Sequence, residues 1–183
     1  HMKDTDGLIL AAFSGQNIDR FVTFYKAALK CGRTFVVDLY VAQLLRSIGR
    51  KSLPDPTSSN LRVFLPHRAR MKIVRDKTFD LVEPFRSRRI YPNELRKRRK
   101  QLVMSFRQSM SRDLEQAGCI ENARVLYSMW PGYLEMGRTD LRQWCRKQGL
   151  DFEILHTSGH ATATDLKRLV SAINPVELIP IHT

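Results

Sequence analysis

Short apolar runs alternate with stretches of helical periodicity along the whole chain, and this alternation restricts the fold more than any single residue does. The runs are Gly7 to Phe13, Thr34 to Asp38, Leu61 to Leu65, Gln101 to Phe106, Ala123 to Ser128, Phe152 to Leu155 and Val176 to Ile181. Between them, apolar residues recur at helical spacing: Ile18, Phe21, Val22, Tyr25, Ala28 and Leu29 in the first interval, and Leu166, Leu169, Val170 and Ile173 in the last. Strands that alternate with helices predict an α/β fold with a mostly parallel, doubly wound sheet.

Local signals set the expected boundaries. Gly32 is placed to stop the first helix, and a second helix spans about Val41 to Ile48. The Pro- and Ser-rich stretch from Leu53 to Asn60 reads as a loop. Residues 67 to 83 read as one amphipathic helix ended by Pro84. Ser109 or Ser111 can cap a helix running to Ala117, because a serine oxygen accepts a free first-turn amide. Thr139 is the expected N-cap of a helix that Gly149 ends.

The 183 residues with 43% hydrophobic content suffice for one domain with a real core. A formal charge of +13 favours polyanionic partners through phosphate contacts and counterion release. The charge is clustered at Arg86, Arg88 and Arg89, then Arg96, Lys97, Arg98, Arg99 and Lys100, as a nucleic-acid-facing surface or a solvated helix face. Exposed aromatics at Tyr127, Trp130 and Tyr133 can stack unpaired bases, or pack under the turn at Pro131-Gly132. Ser14, Asn17 and Arg20 open the first helix, where free amides and a guanidinium can hold a phosphate; helix capping and a local ion pair with Asp19 or Asp38 are the simpler alternative. No run of 18 apolar residues exists and no signal peptide precedes the first strand, so the expectation is a cytoplasmic chain with no membrane partner. Cys31, Cys119 and Cys145 lie far apart and suit reduced packing residues.

The last unit is the most specific. His160 follows one apolar run and His182 closes the next, so a strand-helix-strand unit brings both histidines to the carboxyl edge of a sheet, where ligands of open α/β sheets bind. Two histidines are at best half of a metal site.

Ser158-Gly159-His160-Ala161, Asp165-Leu166, Asn174-Pro175 and Pro180-Ile181-His182 resemble the signature of the β-CASP family of metallo-β-lactamase-fold nucleases, of which ribonuclease J is a member. Gly7 to Phe13, Ser14 to Arg20, Gly32 to Asp38 and Ala123 to Tyr133 are similar to further segments of such a domain. The resemblance implies a part of a zinc-dependent ribonuclease with two zinc ions in the parent enzyme. His160 would bond the scissile phosphate or leaving oxygen, His182 would be a direct metal ligand, and His156 with Ser158 would hold a phosphate. The family's His-x-His-x-Asp-His motif occurs nowhere in this sequence. On this reading residues 1–2 are a cloning scar, 3–150 the β-CASP domain and 151–183 a truncated returning segment of the metallo-β-lactamase domain. The fragment is then expected to bind single-stranded RNA, with DNA possible, to hold no zinc of its own, to cleave nothing alone and to self-associate through exposed sheet edges. One departure is Phe106-Arg107-Gln108-Ser109, where ribonuclease J enzymes carry a Ser-Gln-Gly-Glu-like turn tied to 5′-phosphate handling. The alternative is a non-catalytic nucleic-acid-binding or assembly module derived from the same family.

Overall fold

The computed structural model describes residues 2–57, 60–137, 140–156 and 161–179. Strands β1 (Ile9–Ala12), β2 (Thr34–Asp38), β3 (Leu61–Phe64), β4 (Arg89–Ile90), β5 (Leu102–Ser105), β6 (Arg124–Tyr127) and β7 (Asp151–Ile154) form one sheet in the order β4-β3-β2-β5-β1-β6-β7. All six pairings are parallel. Helices α1 (Ile18–Lys30), α2 (Leu39–Ile48), α3 (His67–Asp76), α4 (Pro92–Arg98), α5 (Ser111–Ala117), α6 (Gly132–Glu135), α7 (Leu141–Gln148) and α8 (Ala163–Ile173) complete the described elements.

The sheet is wound both ways. From β1 to β4 the chain steps toward one edge, and from β5 to β7 toward the other. Because parallel crossovers are right-handed, the two directions place their helices on opposite faces. Alternate strand residues therefore feed two cores. Ile9, Ala11, Phe35, Val37, Val63 and Leu126 pack with Phe21, Phe24, Ala42, Leu45 and Ile73 of α1 to α3. Leu8, Leu10, Val36, Met104, Val125 and Tyr127 pack with Leu95, Leu114, Leu141 and Cys145 of α4, α5 and α7. On α1, burying Phe21 alone contributes about 1.5–3 kcal/mol, and its ring meets Phe35 edge-on at 5.7 Å.

Two close fits fix the amino edge. Buried Arg33 donates from Nη1 to the carbonyls of Gly7 at 2.9 Å and Leu102 at 3.4 Å, and from Nη2 to that of Thr5. One guanidinium thus ties together the chain entering β1, β2 and β5. Beside it Gly7 touches the β6 approach so closely that a Cβ there would lie 2.1 Å from the Asn122 carbonyl oxygen.

Several boundaries differ from expectation. The helix expected over 67–83 stops at Asp76, because Lys77 turns left-handed at φ 55° and the Thr78 amide bonds back to the Ile73 carbonyl at 3.1 Å. Pro84 instead starts a 3-10 stretch, Glu83–Arg88, that inserts Phe85 into the core. Neither Ser109 nor Ser111 caps α5: a 3-10 turn, Gln108–Met110, feeds directly into it, with Met110 at the cap position. Thr139 lies outside the described residues, and Asp140 precedes α7 without a side-chain cap. Of the strand expected over Val176 to Ile181, the described residues Val176 to Ile179 form none; their side chains are exposed, with no neighbouring strand among the described residues to supply a hydrogen-bond ladder. The edge strand β4, two residues long, was not anticipated.

Candidate nucleic-acid interface

With every strand parallel, all the carboxyl ends lie on one edge. There the connection leaving β1 departs toward β2 while that leaving β5 departs toward β6, so the strand order reverses, which is where open α/β sheets hold ligands. A cavity of about 540 Å³ opens at this point, walled by Phe13, Phe106, Met129 and Leu141 and edged by Ser14, Gln16, Tyr40, Arg107, Gln108 and Tyr133.

The polar rim is held in place by the strand ends. Asp38, buried at the end of β2, accepts the Val41 amide on Oδ1 at 2.9 Å and so caps α2. Its Oδ2 pairs with the Arg107 guanidinium, which projects from the end of β5. Arg107 lies 5.6 Å over the Tyr40 ring, a cation–π geometry, and the Tyr40 hydroxyl accepts a hydrogen bond from Gln16 Nε2 at 3.2 Å. Partial burial pushes the Arg107 pKa below its ordinary value, yet the partnered guanidinium stays cationic. The arrangement offers an apolar slot, two aromatic faces and amide groups at the mouth. Such a slot suits a flat heterocycle better than an isolated ion.

The residues singled out from the sequence do not converge on one point. Ser14 lines the cavity. Asn17 caps α1 by accepting the Arg20 amide on Oδ1 at 2.9 Å, which is the capping alternative. Arg20 itself lines a separate cavity with Phe24, Leu126, Ser128 and Leu155. Trp130 is 51% exposed and meets Tyr133 edge-on at 5.4 Å, as a stacking surface requires. Tyr127 is corrected: it points into the second core at 0% exposure, its ring against Phe152 and its hydroxyl donating to the Trp130 carbonyl at 3.4 Å, so it meets no base.

The basic run lies elsewhere. α4 leads from the carboxyl edge back to the start of β5, so its carboxyl end comes to the amino edge. There Arg99 pairs with Glu121 at 2.6 Å and Lys100 with Asp6 at 2.8 Å; the Arg96 side chain lies beside Gly118, and Lys97 and Arg98 belong to the last turn of α4. The sequence grouped these cations with the aromatics; the sheet sets the two groups at opposite ends.

His156 follows β7, and its Nδ1 is buried without a hydrogen-bond partner among the described residues. Ser158, His160 and His182 lie outside the described residues. No group of three His, Cys, Asp or Glu able to hold a metal exists among the described residues, so they do not by themselves fit the zinc that the resemblance implies. Cys119 and Cys145 are buried, and burial pushes both thiols up to about 11, consistent with packing residues. Sequence reasoning missed the Asp38–Arg107–Tyr40–Gln16 cluster. The available signal was positional: Asp38 and Arg107 each stand at the end of an apolar run.

No helix among the described residues is long and apolar enough to cross a membrane. The fold is similar to the crystal structure of a protein of unknown function from Enterococcus faecalis V583, with a TM-score of 0.57 at 18% identity over 93% of this chain. This chain spans 34% of that protein's length. No curated protein matches the sequence. Residues 152–183, from β7 onward, match the model of the Zn-dependent metallo-hydrolase RNA specificity domain, and this segment therefore relates the chain to the RNA-specificity part of that hydrolase family.

Proposed function

We propose that this chain is the RNA-gripping β-CASP part of a zinc-dependent, metallo-β-lactamase-fold ribonuclease similar to ribonuclease J. The observation that carries the reading is the match of residues 152–183 to an RNA specificity domain, which starts within β7, the last strand of a doubly wound sheet whose carboxyl edge holds an aromatic-rimmed cavity. The parent enzyme hydrolyses phosphodiesters; in it His160 contacts the scissile phosphate, His182 ligates zinc, and His156 with Ser158 holds a neighbouring phosphate. This chain alone grips the strand and cleaves nothing. The charge of +13 supports the affinity for a polyanion.

The test is fluorescence anisotropy of a short single-stranded RNA and its DNA equivalent, titrated with the protein at several salt concentrations. Micromolar or tighter binding with a steep salt slope, stronger for RNA, is the expected result. Absence of binding at low salt would reject the reading. A parallel incubation with zinc should leave the RNA intact, and cleavage that depends on His160 would overturn the inactivity of the isolated chain. The second reading is a non-catalytic binding or assembly module whose parent has lost its metal motif; an intact His-x-His-x-Asp-His motif in the parent protein eliminates it.

A further inference from the structure

Three clefts lie side by side along the carboxyl edge. The first is the cavity at the ends of β1, β5 and β6. The second, about 210 Å³, shares Tyr40 and Arg107 with it and continues past the end of β3 to Pro66, Ala69 and Lys72. The third, about 160 Å³, takes over at Leu65 and Arg70 and reaches Arg89 and Tyr91 at the end of β4. The sequence of clefts follows the strand order of the sheet.

Each part of this edge carries an exposed ring, and two of the rings carry an arginine. Arg89 lies 4.8 Å over Tyr91, Arg107 lies 5.6 Å over Tyr40, and Trp130 stands edge-on to Tyr133. Among the described residues, Tyr40, Tyr91, Trp130 and Tyr133 are four of the five exposed aromatics, Phe79 being the fifth. Exposed rings are unfavourable in water, and their concentration on one edge marks a surface that meets a partner. Rings that alternate with cations match one kind of partner: bases with free π-faces on a phosphate backbone. A duplex conceals its base faces in the stack and offers these rings nothing to meet.

We propose that single-stranded RNA lies across the strands along this edge, from β4 over β2 and β5 to β6, with bases stacked on Tyr91, Tyr40 and the Trp130–Tyr133 pair. This inference rests on the RNA-binding reading and gives it a path. Five strand spacings of about 4.8 Å make a track of about 24 Å, room for roughly four nucleotides, the lower end of single-strand site sizes. The basic turn at Lys97 and Arg98 lies toward the far edge and is outside the path.

The test measures binding of a single-stranded RNA of roughly eight nucleotides at fixed salt to the unaltered protein and to Tyr40→Ala, Tyr91→Ala, Trp130→Ala and the doubly substituted Lys97→Ala/Arg98→Ala. The aromatics are exposed, so circular dichroism should be unchanged. Each aromatic substitution should weaken binding about fivefold to a hundredfold, while the double substitution leaves affinity and salt slope nearly unchanged. In a Trp144→Phe background, RNA should quench the remaining indole, Trp130. The same sequence as a duplex should bind more weakly and quench nothing. If RNA binds but the aromatic variants match the unaltered protein while Lys97→Ala/Arg98→Ala abolishes binding, the path is wrong and the RNA-binding reading stands. If RNA does not bind the unaltered protein, both fall. Equal binding and quenching by duplex would overturn the stacking argument.

Discussion

Arg107 reaches from the end of β5 to the buried carboxylate of Asp38 at the end of β2, so one ion pair locks two adjacent strand ends. Asp38 also holds the first turn of α2 through the Val41 amide. Asp38→Asn keeps an oxygen for the cap and loses the charge pairing; Asp38→Ala loses both and leaves Arg107 without its partner. Urea denaturation should show Asp38→Ala more destabilised than Asp38→Asn, by about 1 kcal/mol for the lost cap, with a total of about 2 kcal/mol, because half-exposed Arg107 regains water when its partner is lost. Equal losses in the two variants would mean that the cap contributes nothing.

Gly7 is there because a neighbouring backbone is. A methyl group would fall 2.1 Å from the Asn122 carbonyl oxygen, and a backbone atom cannot swing aside as a side chain does. Gly7→Ala should therefore force β1 and the approach to β6 apart and cost on the order of 2–3 kcal/mol, the usual scale for overpacking. Gly32→Ala is a useful comparison: it meets no atom within 4 Å and is strained only by its φ of +66°. Its loss in the same melt should be the smaller, about 1 kcal/mol.

Arg33 offers a comparable test at the amino edge. Replacing it by Met keeps the bulk and removes every donor to the carbonyls of Thr5, Gly7 and Leu102. The expected cost is about 2–4 kcal/mol, since hydrogen bonds from a charged donor are strong and the carbonyls remain buried. An unshifted midpoint in urea would show that water replaces the guanidinium.

The thiols give the pH dependence. Cys119 and Cys145 are raised to about 11 by burial from an ordinary 9.0, so the folded state holds these protons more tightly than the unfolded chain. Their contribution is fully present below about pH 9 and is lost as pH rises toward 11. Stability measured in urea should fall across that interval, and the fall should flatten in Cys119→Ala/Cys145→Ala. At pH 8 a thiol reagent should modify half-buried Cys31 first and the other two only on unfolding.

Helix α8 carries Leu166, Leu169 and Ile173, exposed by 51%, 55% and 65%. Sedimentation should reveal concentration-dependent association of the chain, and Leu166→Lys/Leu169→Lys should abolish it. A monomer at all concentrations would contradict association through this face.

The sheet was legible in the sequence where its strands are buried on both faces and read as unbroken apolar runs, as β1, β2 and β5 do. The helices α1 and α8 were legible for a different reason, an apolar stripe at helical spacing along one side of each. What escaped was decided by contacts between distant residues. Lys77 ends α3 without the glycine that would announce it. For Trp130 the sequence left exposure and packing under the Pro131-Gly132 turn both open, and Tyr127 was misplaced, because one residue faces the edge and the other a core that only Phe152, from β7, completes. The charge run from Arg96 to Lys100 looked like a surface patch; its last two members are partnered by Glu121 and Asp6, acids that sequence distance conceals.

The interior position of β1 in the sheet, between β5 and β6, has a temporal consequence. Of the seven strands it is synthesised first, yet Ile9 waits for Val103 on one side and Arg124 on the other. During vectorial synthesis this fully buried strand has neither neighbour until β5 and β6 have emerged. Such distant pairings make closure slow. The nascent chain therefore carries an unpaired apolar strand that must be sheltered, by α1 folding back on it or by a chaperone, until β5 and β6 arrive.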